Sequence, residues 1–172
     1  YYGSSSGTFH SVPSVVLEGD NTGDSFGYTF TSLGDLNVDG KEDFAIAAMT
    51  AEGNAPVSGV VYVYSGGNPP TRVATLNGED AMDRFGWAMA SGDIDGNGKN
   101  DLVVSALYNT NNSAFQGGAL YVYLAASDGT IPSTATKVIN DTSGPSAGLG
   151  YSIAVGDING DGKADIIAGE SY

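Results

Sequence analysis

The chain has 172 residues, 20 acidic against six basic ones, a net charge of −14 and no cysteine. That length suits one domain with a real core. The charge excludes nucleic acid as a partner, since phosphate binding needs a basic face, and the missing thiols exclude disulfides and cysteine chemistry. No apolar run approaches the ~18 residues that a membrane-spanning helix needs. The chain starts at Tyr1 without Met or a signal peptide, so a processed or excised piece is expected. Glycine, at 26 residues, is about twice its usual share, and no 3.6-residue periodicity stands out. An all-β protein with many turns follows.

In chain order, Tyr1-Tyr2 reads as a strand end and residues 12–17 as a short strand, with Pro13 placing it at an edge. A polar loop carrying Glu18, Asp20 and Asp24 leads to Phe26-Gly27-Tyr28. There a hairpin begins: an apolar strand, the loop 35–43 and a second apolar strand to Ala48. Residues 49–58 form a loop, Gly59-Val60-Val61-Tyr62-Val63-Tyr64 a strand, and residues 72–76 another. The cycle then restarts. Glu79, Asp80 and Asp83 precede Phe85-Gly86-Trp87, a hairpin turns over 93–101, and Gly118-Ala119-Leu120-Tyr121-Val122-Tyr123 and 136–139 are strands. Leu149-Gly150-Tyr151 opens a third hairpin around 157–165. Glu18, Asp20, Asp24, Glu79, Asp80 and Asp83 read as solvated loop acids, with a ligand-facing rim as the alternative. Tyr28, Trp87 and Tyr151 are expected to pack in the core, although aromatics at a rim can stack on sugars.

The period of about 60 residues divides the chain into a partial unit 1–25, units 26–84 and 85–148, and a partial unit 149–172. Four short strands per unit predict β-propeller blades of four antiparallel strands. About three repeats make an incomplete propeller by themselves, because a ring takes roughly four to eight blades.

The three hairpin loops share one pattern. Oxygen side chains stand at positions 1, 3, 5 and 9: Asp35, Asn37, Asp39, Asp43; Asp93, Asp95, Asn97, Asp101; Asp157, Asn159, Asp161, Asp165. Position 6 is Gly40, Gly98 or Gly162, and position 7 is Lys41, Lys99 or Lys163. Calcium takes about six to eight hard oxygens, so the pattern predicts three Ca²⁺ sites, with each lysine offering only its backbone carbonyl. An EF-hand is excluded, because position 12 is Ile46, Val104 or Ala168 rather than the bidentate Glu. Asp, Asn and Gly also form ordinary turns. Three loops with oxygens at the same places favour calcium, since three carboxylates per loop repel one another without a cation.

These residues resemble the FG-GAP repeats of the integrin α-subunit propeller. The Phe-Gly pairs, the acidic loops and the Gly-x-Val-Tyr-Val strands carry the resemblance. The third Phe is Leu149, and the Gly-Ala-Pro tripeptide is degenerate at 48–50, 106–108 and 168–170. The resemblance implies cation loops at one rim, ligand-binding loops at the opposite face, and a non-enzymatic, extracellular or cell-surface role in adhesion or assembly, with a protein or glycan ligand. Similar repeats occur in lectins and as accessory domains of secreted enzymes, and both stay open as alternatives. No catalytic constellation is evident: His10 is the sole histidine. Asn111 and Asn140 head glycosylation sequons. The chain reads as opening on parts of the last two strands of a blade and closing on the first two. It is thus expected to continue into a longer propeller or to complete a blade in trans by head-to-tail self-association.

Overall fold

The computed structural model describes residues 1–8, 11–110, 117–142 and 148–171. Two four-stranded antiparallel sheets and one two-stranded hairpin follow one another along the chain. The first blade consists of β1 (Phe26–Gly34), β2 (Asp43–Ala48), β3 (Val60–Ser65) and β4 (Thr71–Asn77), paired in sequence order. The second repeats this with β5 (Phe85–Gly92), β6 (Asp101–Ala106), β7 (Ala119–Tyr123) and β8 (Lys137–Asn140). The third hairpin pairs β9 (Ser152–Gly156) with β10 (Asp165–Gly169). β5 lies between β1 and β9, so the first strands of the units form a row rather than a closed ring. Among the described residues no helix is long and apolar enough to cross a membrane.

The apolar strands are explained by burial on both faces. In β6, Leu102, Val104 and Ala106 pack toward the first blade, together with Leu33, Ala45, Ala47, Val61, Val63 and Leu76. Val103 turns the other way and meets Ile153, Val155, Ile166 and Ala168 of the third hairpin. The period of two thus distributes one strand between two interfaces. Phe85 is fully buried at the first interface, edge-on to Tyr121 with ring centroids 5.3 Å apart.

The Phe-Gly signature has a steric cause. Gly86 has φ +92°, and a Cβ there would lie 2.7 Å from the Ala47 Cβ of the first blade. Gly150 stands in the same relation to Ser105 of the second blade, at 2.5 Å. A side chain would force the blades apart. Next to this contact the Phe85 N–H donates to the Ser58 carbonyl (2.8 Å), and the Leu149 N–H to that of Gly117 (2.8 Å).

Several expectations change. Residues 12–17 form no strand, and among the described residues before β1 an isolated bridge at Gly3 is the pairing seen. Val12 and Val16 are 70 % and 69 % exposed, so nothing is gained by ordering them into a sheet. Among the described residues of 1–25, therefore, no blade strand is formed. Leu17 instead packs against the Tyr62 side of the first blade, and Asp20 accepts from Tyr62 (3.0 Å) and pairs with Arg72 (2.9 Å). Asp24 and Asp83 are buried rather than solvated. Tyr28 and Tyr151 are exposed; they flank Trp87 with centroids 5.6 and 5.8 Å from its ring, in a row rather than in a core. His10 and Asn111 lie outside the described residues, while Asn140 ends β8 half-buried.

Candidate metal centre

Each acidic loop links the first two strands of its unit: 35–43 joins β1 to β2, 93–101 joins β5 to β6, and 157–165 joins β9 to β10. The loops fold by the same local rule. The position-1 carboxylate reaches across the turn and accepts backbone amides. Asp35 takes Asp39 N–H and Gly40 N–H (3.0 and 2.8 Å). Asp93 takes Gly96, Asn97 and Gly98 (2.8, 3.0 and 2.8 Å), and Asp157 takes Gly160, Asp161 and Gly162 (2.7, 3.2 and 2.9 Å). Position 3 accepts the position-5 amide through Asn37, Asp95 and Asn159. Position 5 accepts the position-7 amide through Asp39, Asn97 and Asp161. The position-6 glycines have φ of 84°, 85° and 86°, the left-handed turn this wrapping needs.

The position-9 carboxylate is the anchor. Asp101 is fully buried; its Oδ2 accepts the Ile94 N–H and its Oδ1 the Ala125 N–H, both at 2.7 Å. Asp43 does the same with Leu36 (3.0 Å) and Gly66 (2.8 Å). Asp165 is less enclosed and holds Ile158 and Asn159 at 3.0 and 3.4 Å. In the first two loops position 9 thus ties the loop both to its own second residue and to the turn between the blade's outer strands.

The carboxylates of Asp93, Asp95 and Asp101 each place an oxygen within 4.8 Å of the others. Burial raises the pKa of Asp101, and the Asp95 charge adds to the rise. A carboxylate whose charged form is penalised beside two others is what a bound cation relieves. The set is all hard oxygen, and an ionised carboxylate with amide partners keeps free lone pairs, so these residues fit a hard divalent cation. Among the described residues this three-carboxylate convergence is met in the second loop alone. In the first, the Asp39 carboxylate faces the Lys41 ammonium (3.0 Å), which lowers its pKa. In the third, Asp161 accepts the Asn159 amide (3.1 Å). The second loop differs in having its carboxylate at position 3 and the amide at position 5.

The lysines have side-chain partners that their assignment as backbone ligands did not foresee. Lys41 stays within its own loop, whereas Lys99 donates to the Leu36 carbonyl of the first blade, and the Lys163 stem packs over Gly96.

Residues 85–123 and 149–172 match the FG-GAP repeat family. Human integrin alpha-E is 32 % identical over 166 residues, 90 % of this chain. The chain carries FG-GAP repeats of the integrin type. Drosophila melanogaster integrin alpha-PS2 is 29 % identical over 85 % of the chain. A phosphatidylinositol-glycan-specific phospholipase D from Rattus norvegicus is 35 % identical over 53 %. The FG-GAP chain spans 14 %, 10 % and 11 % of the length of these three relatives. Among solved structures, a Bacillus licheniformis rhamnogalacturonan lyase matches with a TM-score of 0.54 at 19 % identity, over 81 % of this chain and 28 % of its own. That likeness concerns the fold alone.

Proposed function

We propose that the FG-GAP repeats hold Ca²⁺ in three loops and serve as a non-enzymatic, extracellular module in adhesion or surface assembly. The ligands in this reading are the side chains at positions 1, 3, 5 and 9 of each loop and the backbone carbonyls of Lys41, Lys99 and Lys163. The observation that carries it is the convergence of Asp93, Asp95 and fully buried Asp101. Extracellular calcium modules bind in the millimolar range, which suits loops this exposed outside position 9. The phospholipase relative leaves a place for such repeats beside an enzyme, as an accessory domain. Calorimetric titration with CaCl₂, paired with melting in EGTA, tests the reading. Binding together with a raised melting temperature is expected, and an unmoved melting curve refutes it.

The partner in this proposal is a protein. β10 pairs only with β9 among the described strands, and its other backbone edge suits a further strand, from continuing chain or from a partner. A second copy of the chain, docked head to tail, is one occupant of that edge, and sedimentation in calcium distinguishes a dimer or filament from a monomer. A glycan is the second reading, favoured by a cavity of about 210 Å³ between the two complete blades, lined by Asn37, Ser65, Val73, Asp128, Thr130 and Ile131 among others. A glycan array decides between them.

A further inference from the structure

The three loops do not share one environment. Position 2 is Leu36, Ile94 and Ile158 in turn: the first is 3 % exposed, the second half-buried and the third 65 % exposed. The unit that follows contacts the backbone of the first two loops. The Lys99 ammonium donates to the Leu36 carbonyl. On the same peptide lies Gly129, from the outer turn of the second blade, where any Cβ would sit 2.2 Å from the Leu36 oxygen. One unit later the contact recurs in related form. The Ala164 N–H donates to the Asp93 carbonyl (2.8 Å), and the Lys163 stem lies 3.1 Å from where a Gly96 Cβ would stand. Among the described residues no following unit does this for the third loop, and a Cβ on Gly160 would meet nothing within 4 Å.

The gripped peptides are parts of the cation loops. The Leu36–Asn37 peptide leads into position-3 Asn37 and follows the Leu36 N–H that binds position-9 Asp43. Asp93, whose carbonyl Ala164 holds, is itself position 1. We infer that Lys99, through its ammonium, and Lys163, through its stem, are positioning residues: each reaches back from its own loop and fixes the loop of the preceding unit, so that the first two Ca²⁺ sites are completed by the repeat that follows them. The inference rests on the calcium reading and goes beyond it, because it assigns these lysine side chains to the neighbouring site. It makes coupling run one way along the row. The sign of the effect separates this role from plain electrostatics. Removing a positive charge near a cation site strengthens binding by Coulomb's law, whereas removing the latch weakens it.

The test is a CaCl₂ titration of the ¹⁵N-labelled chain, following the amides of Gly40, Gly98 and Gly162. Each donates to the position-1 carboxylate of its own loop and reports on that loop. In the wild type all three respond. In Lys99→Met the Gly40 midpoint moves about three- to tenfold higher, the scale of one lost hydrogen bond, while Gly162 stays in place. Lys99→Arg, which keeps a donor, returns Gly40 toward the wild-type value. Lys163→Ala raises the Gly98 midpoint, and provides the same test should Lys99→Met not fold. A Gly40 midpoint unchanged or lowered in Lys99→Met, with the wild type binding normally, overturns the latch alone. No response of any of the three glycines in the wild type overturns the calcium reading and the latch with it.

Discussion

Asp101→Asn tests the anchor of the second loop most directly. Both oxygens of Asp101 accept amides at 2.7 Å in a fully buried position. Asparagine has one oxygen, so its NH₂ must face one of those two N–H groups. One charge-assisted bond, about 1.5–3 kcal/mol, is lost and a buried donor is left unpartnered, at about 1–3 kcal/mol. Relief of the buried charge, the cause of the raised Asp101 pKa, offsets part of this. A net loss of about 2–3 kcal/mol is expected in EGTA. In calcium a further loss follows, roughly 2.7 kcal/mol per site at a hundredfold excess over Kd, for a total of about 5 kcal/mol. Urea unfolding followed by the fluorescence of Trp87, the sole tryptophan, measures both terms. Asp165→Asn is the control: its amides lie at 3.0 and 3.4 Å in a half-buried site, so its EGTA term is smaller and its calcium term similar. Equal penalties for the two variants in EGTA would refute the anchoring argument. A full calcium increment retained in Asp101→Asn would refute the ligand assignment.

Val38 is 76 % exposed with φ +59°, a conformation that Gly96 and Gly160 occupy in the other loops. Val38→Gly therefore stabilises by up to about 1 kcal/mol, as strain of about 1–2 kcal/mol exceeds the added chain entropy; an unchanged or lower urea midpoint contradicts this. Phe85→Ala, at the buried interface between the two blades, costs about 3–5 kcal/mol by urea titration, and Phe85→Leu less than half of that. Asp83 titrates at about 6, raised mainly by burial and further by Asp80 and Glu79 against the Asn109 hydrogen bond. Its folded pKa lies above the unfolded value, so the stability it contributes is complete below about pH 4 and lost as pH rises through about 6. Asp83→Asn thus gains on the wild type between pH 5 and 7.5, both melted in EGTA, and a constant difference across that range rules the assignment out.

The hairpins, the loops and the two complete blades were legible because their causes are local. A position-1 carboxylate needs amides three to five residues away, and an apolar period of two needs only a face to bury it. The strand expected at 12–17 was not legible in the same sense. Its apolar residues meet the local criterion, yet a strand also needs a neighbouring edge, and in the structure Leu17 goes to a side-chain cluster instead. Asp83 failed in the other direction. Its acidic surroundings suggested a solvated loop, but the carboxylate is 1 % exposed and accepts from Asn109 (2.8 Å), 26 residues away. The lysines illustrate the same limit. Three identical residues at one loop position suggest one role, whereas Lys41 turns to its own Asp39 and Lys99 crosses to the first blade.

A repeat in sequence is therefore not a repeat of environment, and the difference has a direction. Gly86 and Gly150 are each pressed against the second strand of the preceding blade, while a Cβ on Gly27 would meet nothing within 4 Å. Likewise the loop before a following unit buries its second residue, and the loop without one exposes Ile158. Both series point the same way along the row. A unit covers the one before it through the glycine of its first strand and through its loop lysine. The outer face of the first blade and the outer face of the third hairpin are then opposite halves of one kind of contact, carrying Phe30 at 77 % and Ile167 at 50 % exposure. Large apolar side chains this exposed at both ends of the row favour an occupant built like the repeats themselves over a small ligand. Paired substitutions Phe30→Ser and Ile167→Ser, which touch no cation loop, should abolish any self-association seen by sedimentation while leaving calcium binding intact.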